Sequence, residues 1–214
     1  MNLKRNLFLL VLLFSASVFS QNKNDQYSIE AGYGLGISGK PGITQLNHFE
    51  VGFRYMVDEF WGMKFDFGAD KFTTTAEGAD KETGTDYKRI SVQAVHNLGR
   101  TLNLRESIAN TNMLAHAGFG YSYMTTINIV TGKQDKTDSM GNFIIGITPQ
   151  YHIIKNLALH ADFSYIVNFS QNRDYDGNWH NQEDPIKGFT GSLANISVGL
   201  TFYFGSNSSD VDWR

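Results

Sequence analysis

Three stretches of the sequence carry residue types that could do chemistry. The first is GLGISG at 34–39, which has the G-x-G-x-x-G spacing of a dinucleotide-binding turn. Such a turn leads from a strand into a helix, but here Lys40-Pro41-Gly42 follows the third glycine, and the next stretch, HFEVGFRYM, alternates like a second strand. The context therefore argues against a nucleotide site.

The second stretch is NRDYDGNWHNQE at 172–183, which follows the spacing of a calcium-binding EF-hand loop. Asn172, Asp174 and Asp176 occupy its first, third and fifth positions, and Glu183 occupies the final, bidentate position. Against calcium, the first position usually carries Asp, and no helices flank the loop. The alternative is a polar loop with an Asp-Gly turn. Calcium is thus the single candidate cofactor.

The third set comprises His116, His160, Asp162 and Ser164, which are the residue types of a hydrolytic site. Whether a substrate could reach them depends on the direction in which the surrounding elements point their side chains.

The first twenty residues predict a secretory signal peptide. Lys4 and Arg5 precede an apolar run from Leu7 to Phe14, and small residues lead to Ser20. The run is too short to span a bilayer, which needs roughly 20 residues. The exported chain, expected to begin at Gln21, has no cysteine and therefore no disulfide to stabilise it. The formal charge of −3, without a basic run, gives no indication of nucleic acid binding.

Alternation of apolar and polar residues runs through nearly all of the exported chain, and no stretch keeps a helical period. HFEVGFRY at 48–55, for example, alternates large apolar residues with His, Glu, Gly and Arg. About eight such segments occur. An apolar face opposite a small or charged face predicts an all-β fold, an antiparallel up-and-down eight-stranded transmembrane β-barrel, with lipid outside and polar groups inside. The expected organisation is signal peptide 1–20, barrel 21–205 and periplasmic tail 206–214.

The polar face predicts a filled lumen, because eight strands enclose a space just wide enough for side chains. Inward glycines such as Gly32, Gly34 and Gly36 would make room for it. Buried charges must be paired, so we expect an interior network, not a catalytic site, and the protein is predicted not to be an enzyme. The network residues are Glu30, Glu50, Arg54, Lys64, Asp66, Arg89, His116, His160 and Asp162.

Loop lengths orient the predicted barrel. The stretches after strands three, five and seven are long and polar, whereas VDEF and IKN are short, so both termini should face the periplasm. The 97–112 segment after strand four is long for a periplasmic turn. Either the flanking strands extend beyond the bilayer, which we expect, or this segment rests on the periplasmic face.

Several motifs together resemble the transmembrane barrel of OmpA-type outer-membrane proteins in the version carried by Bacteroidetes: RISVQAVHNLGRTLN, LAHAGFGYS, MGNFIIGITPQ, LALHADFSYI and SVGLTFYFG followed by DVDW. Members typically continue into a peptidoglycan-binding domain, whereas here GSNSSDVDWR follows the last strand, which puts a cell-wall anchoring role in doubt. Ser197, Gly199, Phe202 and Phe204 resemble the closing-strand signal that the barrel-assembly machinery reads.

Three functions remain open. The first is a structural scaffold or an accessory subunit of a larger outer-membrane assembly; the alternatives are a surface ligand-binding barrel that acts through its long loops and a narrow pore. The expected partners are outer-membrane lipid, the barrel-assembly machinery and other outer-membrane or periplasmic proteins that contact the tail or the 97–112 segment. The expected location is the outer membrane.

Overall fold

The computed structural model describes residues 26–75, 82–128, 133–180 and 188–205. Eight long strands and two one-turn helices make up this part of the chain. In chain order the elements are β1 (Gln26–Ser38), β2 (Thr44–Met56), β3 (Trp61–Thr75), β4 (Glu82–Asn97), α1 (Leu98–Thr101), α2 (Leu104–Ser107), β5 (Thr111–Asn128), β6 (Lys133–Ile154), β7 (Leu157–Gln171) and β8 (Phe189–Phe204). Neither helix is long and apolar enough to cross a membrane. The signal peptide and tail predictions fall outside the described residues.

The strands form one closed barrel in sequence order, with β8 pairing back onto β1. Every neighbouring pair is antiparallel, and Tyr27 lies opposite Tyr55 of β2 on one side and Phe204 of β8 on the other. Because successive side chains of a strand alternate between faces, the apolar set of each segment points outward and the polar set points into the lumen. Ile29, Phe65 and Phe119 are thus exposed on the outer wall, while Glu30, Asp66 and Arg89 are buried. The predicted fold class is confirmed.

Small residues allow close approach of the first and last strands. Gly32 lies opposite Gly199 in the β1–β8 ladder. A Cβ atom on Gly199 would lie 2.0 Å from the carbonyl oxygen of Ala31, and one on Gly34 would lie 1.9 Å from that of Ile196. Gly36 makes room for the Asp70 and Phe72 side chains. The glycines of the 34–39 motif therefore serve packing of the barrel and not a nucleotide.

We call the end of the barrel that carries the β1–β2, β3–β4, β5–β6 and β7–β8 connections the loop end, and the opposite end the turn end. Two expectations about strand length were wrong. β5 and β6 are 18 and 22 residues long, against the 9–11 that a tilted strand needs to cross a bilayer. At the loop end they extend over 126–128 and 133–139, which the sequence suggested was loop.

At the turn end, the 97–112 segment does not continue the strands, so the expected strand extension was wrong. It forms α1 and α2 instead. The side chain of Asn97 accepts a hydrogen bond from the backbone N–H of Arg100 at 3.0 Å and caps α1, which gives the chain a local alternative to the ladder. Arg100 pairs with Glu59 of the β2–β3 turn, so the segment rests on this end of the barrel.

Candidate functional site

The centre of the lumen contains a chain of buried charges. Glu30 accepts a hydrogen bond from Arg54 Nε at 2.8 Å with one carboxylate oxygen, and its other oxygen lies 3.0 Å from Lys64 Nζ. Arg89 Nη2 donates to Asp66 Oδ1 at 2.7 Å, and Lys64 lies 4.0 Å from the same carboxylate. All five side chains are at most 5% exposed. Oppositely charged groups on neighbouring strands therefore neutralise one another inside the wall.

A second group of lumen residues centres on Glu50. Ser197 Oγ donates to it at 2.5 Å, and Nε2 atoms of His48 and His160 lie 3.8 and 3.7 Å from its carboxylate oxygens. His48 Nδ1 contacts Asp70 at 2.9 Å. His48 and Asp70 were not among the predicted network residues, although both share the inward face with Glu50 and Asp66, so the alternation could have identified them.

The four residues of the hydrolytic hypothesis lie in the lumen, but they do not form a nucleophile–base pair. His116 Nε2 lies 3.0 Å from Asp162 Oδ2. The Ser164 hydroxyl donates to Asp162 Oδ1 instead of to a histidine, and Thr148 donates to Oδ2 at 2.7 Å. His160 contacts Thr201 at 2.9 Å. A nucleophile would need a base within hydrogen-bond reach, whereas here the hydroxyl and the imidazole both serve one carboxylate.

The loop end of the lumen is apolar, which the sequence analysis did not anticipate. A cluster of buried side chains fills it, and we call this cluster the loop-end plug. Its members are Phe72, Tyr87, Met124, Met140, Ile144, Ile166, Tyr175 and Leu193.

Tyr175 comes from the β7–β8 loop and closes the loop-end plug. Its ring packs edge-on against Phe72 at 5.2 Å between centroids, and its hydroxyl accepts a hydrogen bond from Asn168 at 2.8 Å. Its backbone is also held, because Thr85 donates to its carbonyl at 2.8 Å and its N–H donates to the carbonyl of Lys40 at 3.1 Å. Burial raises the pKa of the Tyr175 phenol well above its ordinary value. The β7–β8 loop thus folds back into the barrel mouth.

The turn end is closed in a similar way. Met56, Val95 and Leu114 form one small buried cluster, and Ala158 and Tyr203 form another. The Tyr203 hydroxyl donates to Gln150 at 2.8 Å, and its ring lies 5.6 Å below the Arg54 guanidinium carbon. Apolar groups therefore cover the polar network at both ends of the described lumen.

The calcium-loop residues that the structure describes are engaged with neighbours. Asp174 contacts the His180 ring at 2.9 Å, and Asp176 accepts from the backbone and side chain of Asn178 at 2.9 and 2.8 Å. Asn172 donates to Asp138 at 2.9 Å. Glu183 lies outside the described residues. Within the described ranges, no group of three or more His, Cys, Asp or Glu side chains could hold a metal ion. Calcium binding at this loop stays a prediction.

A small polar pocket lies on the rim of the loop end, between the extended strand β6 and the β7–β8 loop. We call it the rim pocket. Its volume is about 270 Å³, and its lining comprises Thr137, Asp138, Asn172, Arg173 and Trp179. Of these residues the sequence singled out Asn172, as a candidate calcium ligand. The pocket itself was not predicted, because the reach of the β6 strand could not be foreseen.

The residues of the suggested assembly signal split between the two faces of β8. Ser197 and Gly199 point inward, where Ser197 holds Glu50. Phe202 is exposed on the outer wall and stacks with Phe204 at 6.5 Å between ring centroids. Their recognition by the assembly machinery stays a prediction.

A closed antiparallel barrel with an apolar outer wall and a polar interior is a transmembrane β-barrel of the outer-membrane class. The description "outer membrane protein beta-barrel domain" fits residues 7–204 of the chain. The chain therefore belongs to that family, and it is a protein of the outer membrane, as the sequence predicted.

Three solved structures illustrate the likeness. The attachment invasion locus protein Ail of Yersinia pestis is 14% identical with a TM-score of 0.52, covering 85% of this chain and 99% of Ail. Neisserial surface protein A is 12% identical with a TM-score of 0.52, covering 84% and 97%. A major outer membrane protein of Thermus thermophilus is 11% identical with a TM-score of 0.55, covering 84% and 99%. At these identities the likeness extends to the fold. No curated protein matches the sequence significantly.

Proposed function

We propose that this chain is a closed structural barrel of the outer membrane, a scaffold or an accessory subunit of a larger assembly, of the OmpA type found in Bacteroidetes. The observation that carries the proposal is the filling of the lumen. Paired charges occupy its centre, the loop-end plug covers the loop end, and the buried cluster of Met56, Val95 and Leu114 covers the turn end. A pore needs a continuous path of water, and eight strands leave room for little beyond their own side chains.

A barrel whose interior is occupied must act through its outer surfaces. The turn end offers one such surface, because Leu102 and Ile108 beside α1 and α2 are 56% and 59% exposed. These two residues stand on a segment that caps the barrel, and periplasmic subunits could dock there. The same filled interior disfavours catalysis, because His116, His160 and Ser164 are buried among the lumen side chains.

Conductance tests the closed state. In planar bilayers we expect the purified barrel to give no steady channels. Tyr175→Ala, which opens the loop-end plug, should still conduct little, because the charged network and the turn-end cluster remain. Large, stable channels from the unaltered protein would refute the filled lumen.

Assembly is tested separately by extraction from native membranes in mild detergent. The barrel should migrate in a stoichiometric complex, and Leu102→Asp with Ile108→Asp should release it. Asn178→Asp on the loop end is the matched control and should leave the complex intact. A barrel that migrates alone before any substitution would contradict the subunit role.

A second candidate function, surface binding through the loop end, is favoured by one observation. The rim pocket exposes 40% of the Trp179 side chain beside buried polar groups.

A further inference from the structure

The rim pocket is built on a fixed carboxylate. Asp138 of β6 accepts hydrogen bonds from the backbone N–H of Asn172 at 2.6 Å, from the Asn172 side chain at 2.9 Å and from the backbone N–H of Arg173 at 3.1 Å. Asp138 is 6% exposed. These three donors tie the start of the β7–β8 loop to the extended end of β6, so the floor of the pocket is rigid.

The indole ring of Trp179 forms part of the pocket lining and is held in place by Arg173, which lines the same pocket. The Arg173 guanidinium carbon lies 4.0 Å from the centroid of the Trp179 ring, within the range of a cation–π contact. Arg173 Nη1 also donates to the Gly177 carbonyl at 2.9 Å, and the backbones of Arg173 and Trp179 form an antiparallel bridge. The indole is therefore positioned before any ligand arrives, which lowers the entropic cost of binding.

The charges in the rim pocket exclude two kinds of ligand. Asp138 and Arg173 give the lining one charge of each sign, so an anion that approaches the Arg173 guanidinium meets the Asp138 carboxylate, and like charges at short range repel. A cation would find that carboxylate already surrounded by three N–H donors and accompanied by the Arg173 guanidinium. What remains complementary is a neutral molecule with an apolar face for the indole and hydroxyl groups for the polar floor.

Size narrows the ligand further. A volume of about 270 Å³ equals the liquid volume of about nine waters at ~30 Å³ each. This space suits one six-membered sugar ring with its hydroxyls and is too small for an extended peptide. A carboxylate offers about four acceptor sites, so Asp138 keeps capacity for a sugar hydroxyl after its three existing bonds.

We propose that the rim pocket binds a neutral saccharide through one pyranose ring, whose C–H face stacks on Trp179 while its hydroxyls bond to Asp138 and Asn172. The proposal names the ligand class for the second candidate function, surface binding. The sugar could belong to neighbouring lipopolysaccharide or to a glycan outside the cell, since both present the same chemistry.

Saturation-transfer NMR on the barrel refolded in detergent micelles tests the proposal. The probes are the methyl glycosides of glucose, galactose, mannose and N-acetylglucosamine, together with core oligosaccharide released from the cells' own lipopolysaccharide. At least one probe should receive saturation, strongest on the protons of one ring face. Trp179→Ala should weaken binding at least about tenfold, and Trp179→Phe should weaken it less, because a smaller ring remains. Preference for the released oligosaccharide would assign the site to lipopolysaccharide, and preference for a glycoside would assign it to outside glycans.

Trp61→Ala is the matched control, because Trp61 is 54% exposed on the outer wall near the turn end, away from the rim pocket. It should leave sugar binding unchanged. The heat-dependent gel shift of folded barrels verifies that each variant is folded. Absence of binding by every probe, or equal binding by Trp179→Ala, would overturn the proposal. Neither result would bear on the closed-barrel function, which conductance and complex size test independently.

Discussion

Replacing Glu30 with Gln removes a carboxylate that contacts two buried cations at once. Its oxygens lie 2.8 Å from Arg54 Nε and 3.0 Å from Lys64 Nζ. An amide keeps one acceptor and turns N–H groups toward a cation. Lys64 would then depend on Asp66 at 4.0 Å. Because removal of one partner from a buried ion pair costs about 3–5 kcal/mol, we expect Glu30→Gln to lower the free energy of unfolding by that amount. At ~1.4 kcal/mol per tenfold change, the folding equilibrium shifts by roughly two to four orders of magnitude.

Urea unfolding of the barrel in lipid vesicles, followed by tryptophan fluorescence, measures this cost. Glu59→Gln is the matched control, since it makes the same chemical change in an ion pair with Arg100 whose side chains are 42% and 26% exposed. Exposed pairs contribute about 0–1 kcal/mol. The double variant Glu30→Gln with Lys64→Met should lose less than the sum of its two single losses, because the contact is shared. Equal costs for Glu30→Gln and Glu59→Gln would refute the view that the paired lumen stabilises the barrel.

Three further predictions concern the wall, the orientation and the plug. Ala161 faces outward, so in the same vesicle titrations Ala161→Leu should be nearly neutral, while Ala161→Arg near the bilayer midplane should cost about 2–4 kcal/mol. Gly199→Ala should be damaging, because its Cβ would lie 2.0 Å from the oxygen of a β1 carbonyl. Equal effects of Leu and Arg at Ala161 would mean that the assigned strand register is wrong. A cysteine at Asn178 should react with an impermeant thiol reagent on intact cells, and one at Lys155 should not; the opposite pattern would invert the barrel. Because burial raises the pKa of Tyr175, the stability that its neutral phenol contributes is full below the usual tyrosine pKa near 10 and declines at higher pH. Proteinase K should therefore cut the β7–β8 loop faster above about pH 10. If Tyr175→Phe showed the same pH profile of cleavage, Tyr175 would not be its origin.

The two-residue alternation was sufficient to predict the eight strands, though not where β5 and β6 end, and the direction of the side chains. Glu30, Arg54 and Lys64 were expected in the lumen because each directly neighbours an apolar residue in the sequence. Those neighbours, Ile29, Phe53 and Phe65, must face lipid, so the charged residues must face the interior. A shift by one residue would place every charge in lipid. Which lumen residues pair with one another was harder to predict from the sequence, because it depends on which inward residues lie at the same height in neighbouring strands.

The loop-end plug could not be derived from the loop sequence. Tyr175 stands among Arg, Asp, Gly and Asn in a segment with the composition of a solvated loop. One signal was available: Phe72, Met124 and Met140 occupy inward positions near the loop end, where the polar pattern of the lumen face breaks down. Such a change of character on the inward face indicates that something apolar must cover it. Its identity depends on a tertiary contact that local periodicity does not encode.

The pairing inside the barrel also constrains how the chain can assemble. Ser197 and Glu50 are 147 residues apart, Asn195 and Asp70 are 125 apart, and Tyr203 and Arg54 are 149 apart. These contacts connect the last strand to the first few, so a sheet that has not yet closed leaves its charges without these partners. Contacts of such high sequence separation form late and slowly, and an open sheet edge is prone to mispairing. The polar face must therefore stay hydrated until β8 meets β1, and closure of the barrel and dehydration of its interior become a single cooperative step.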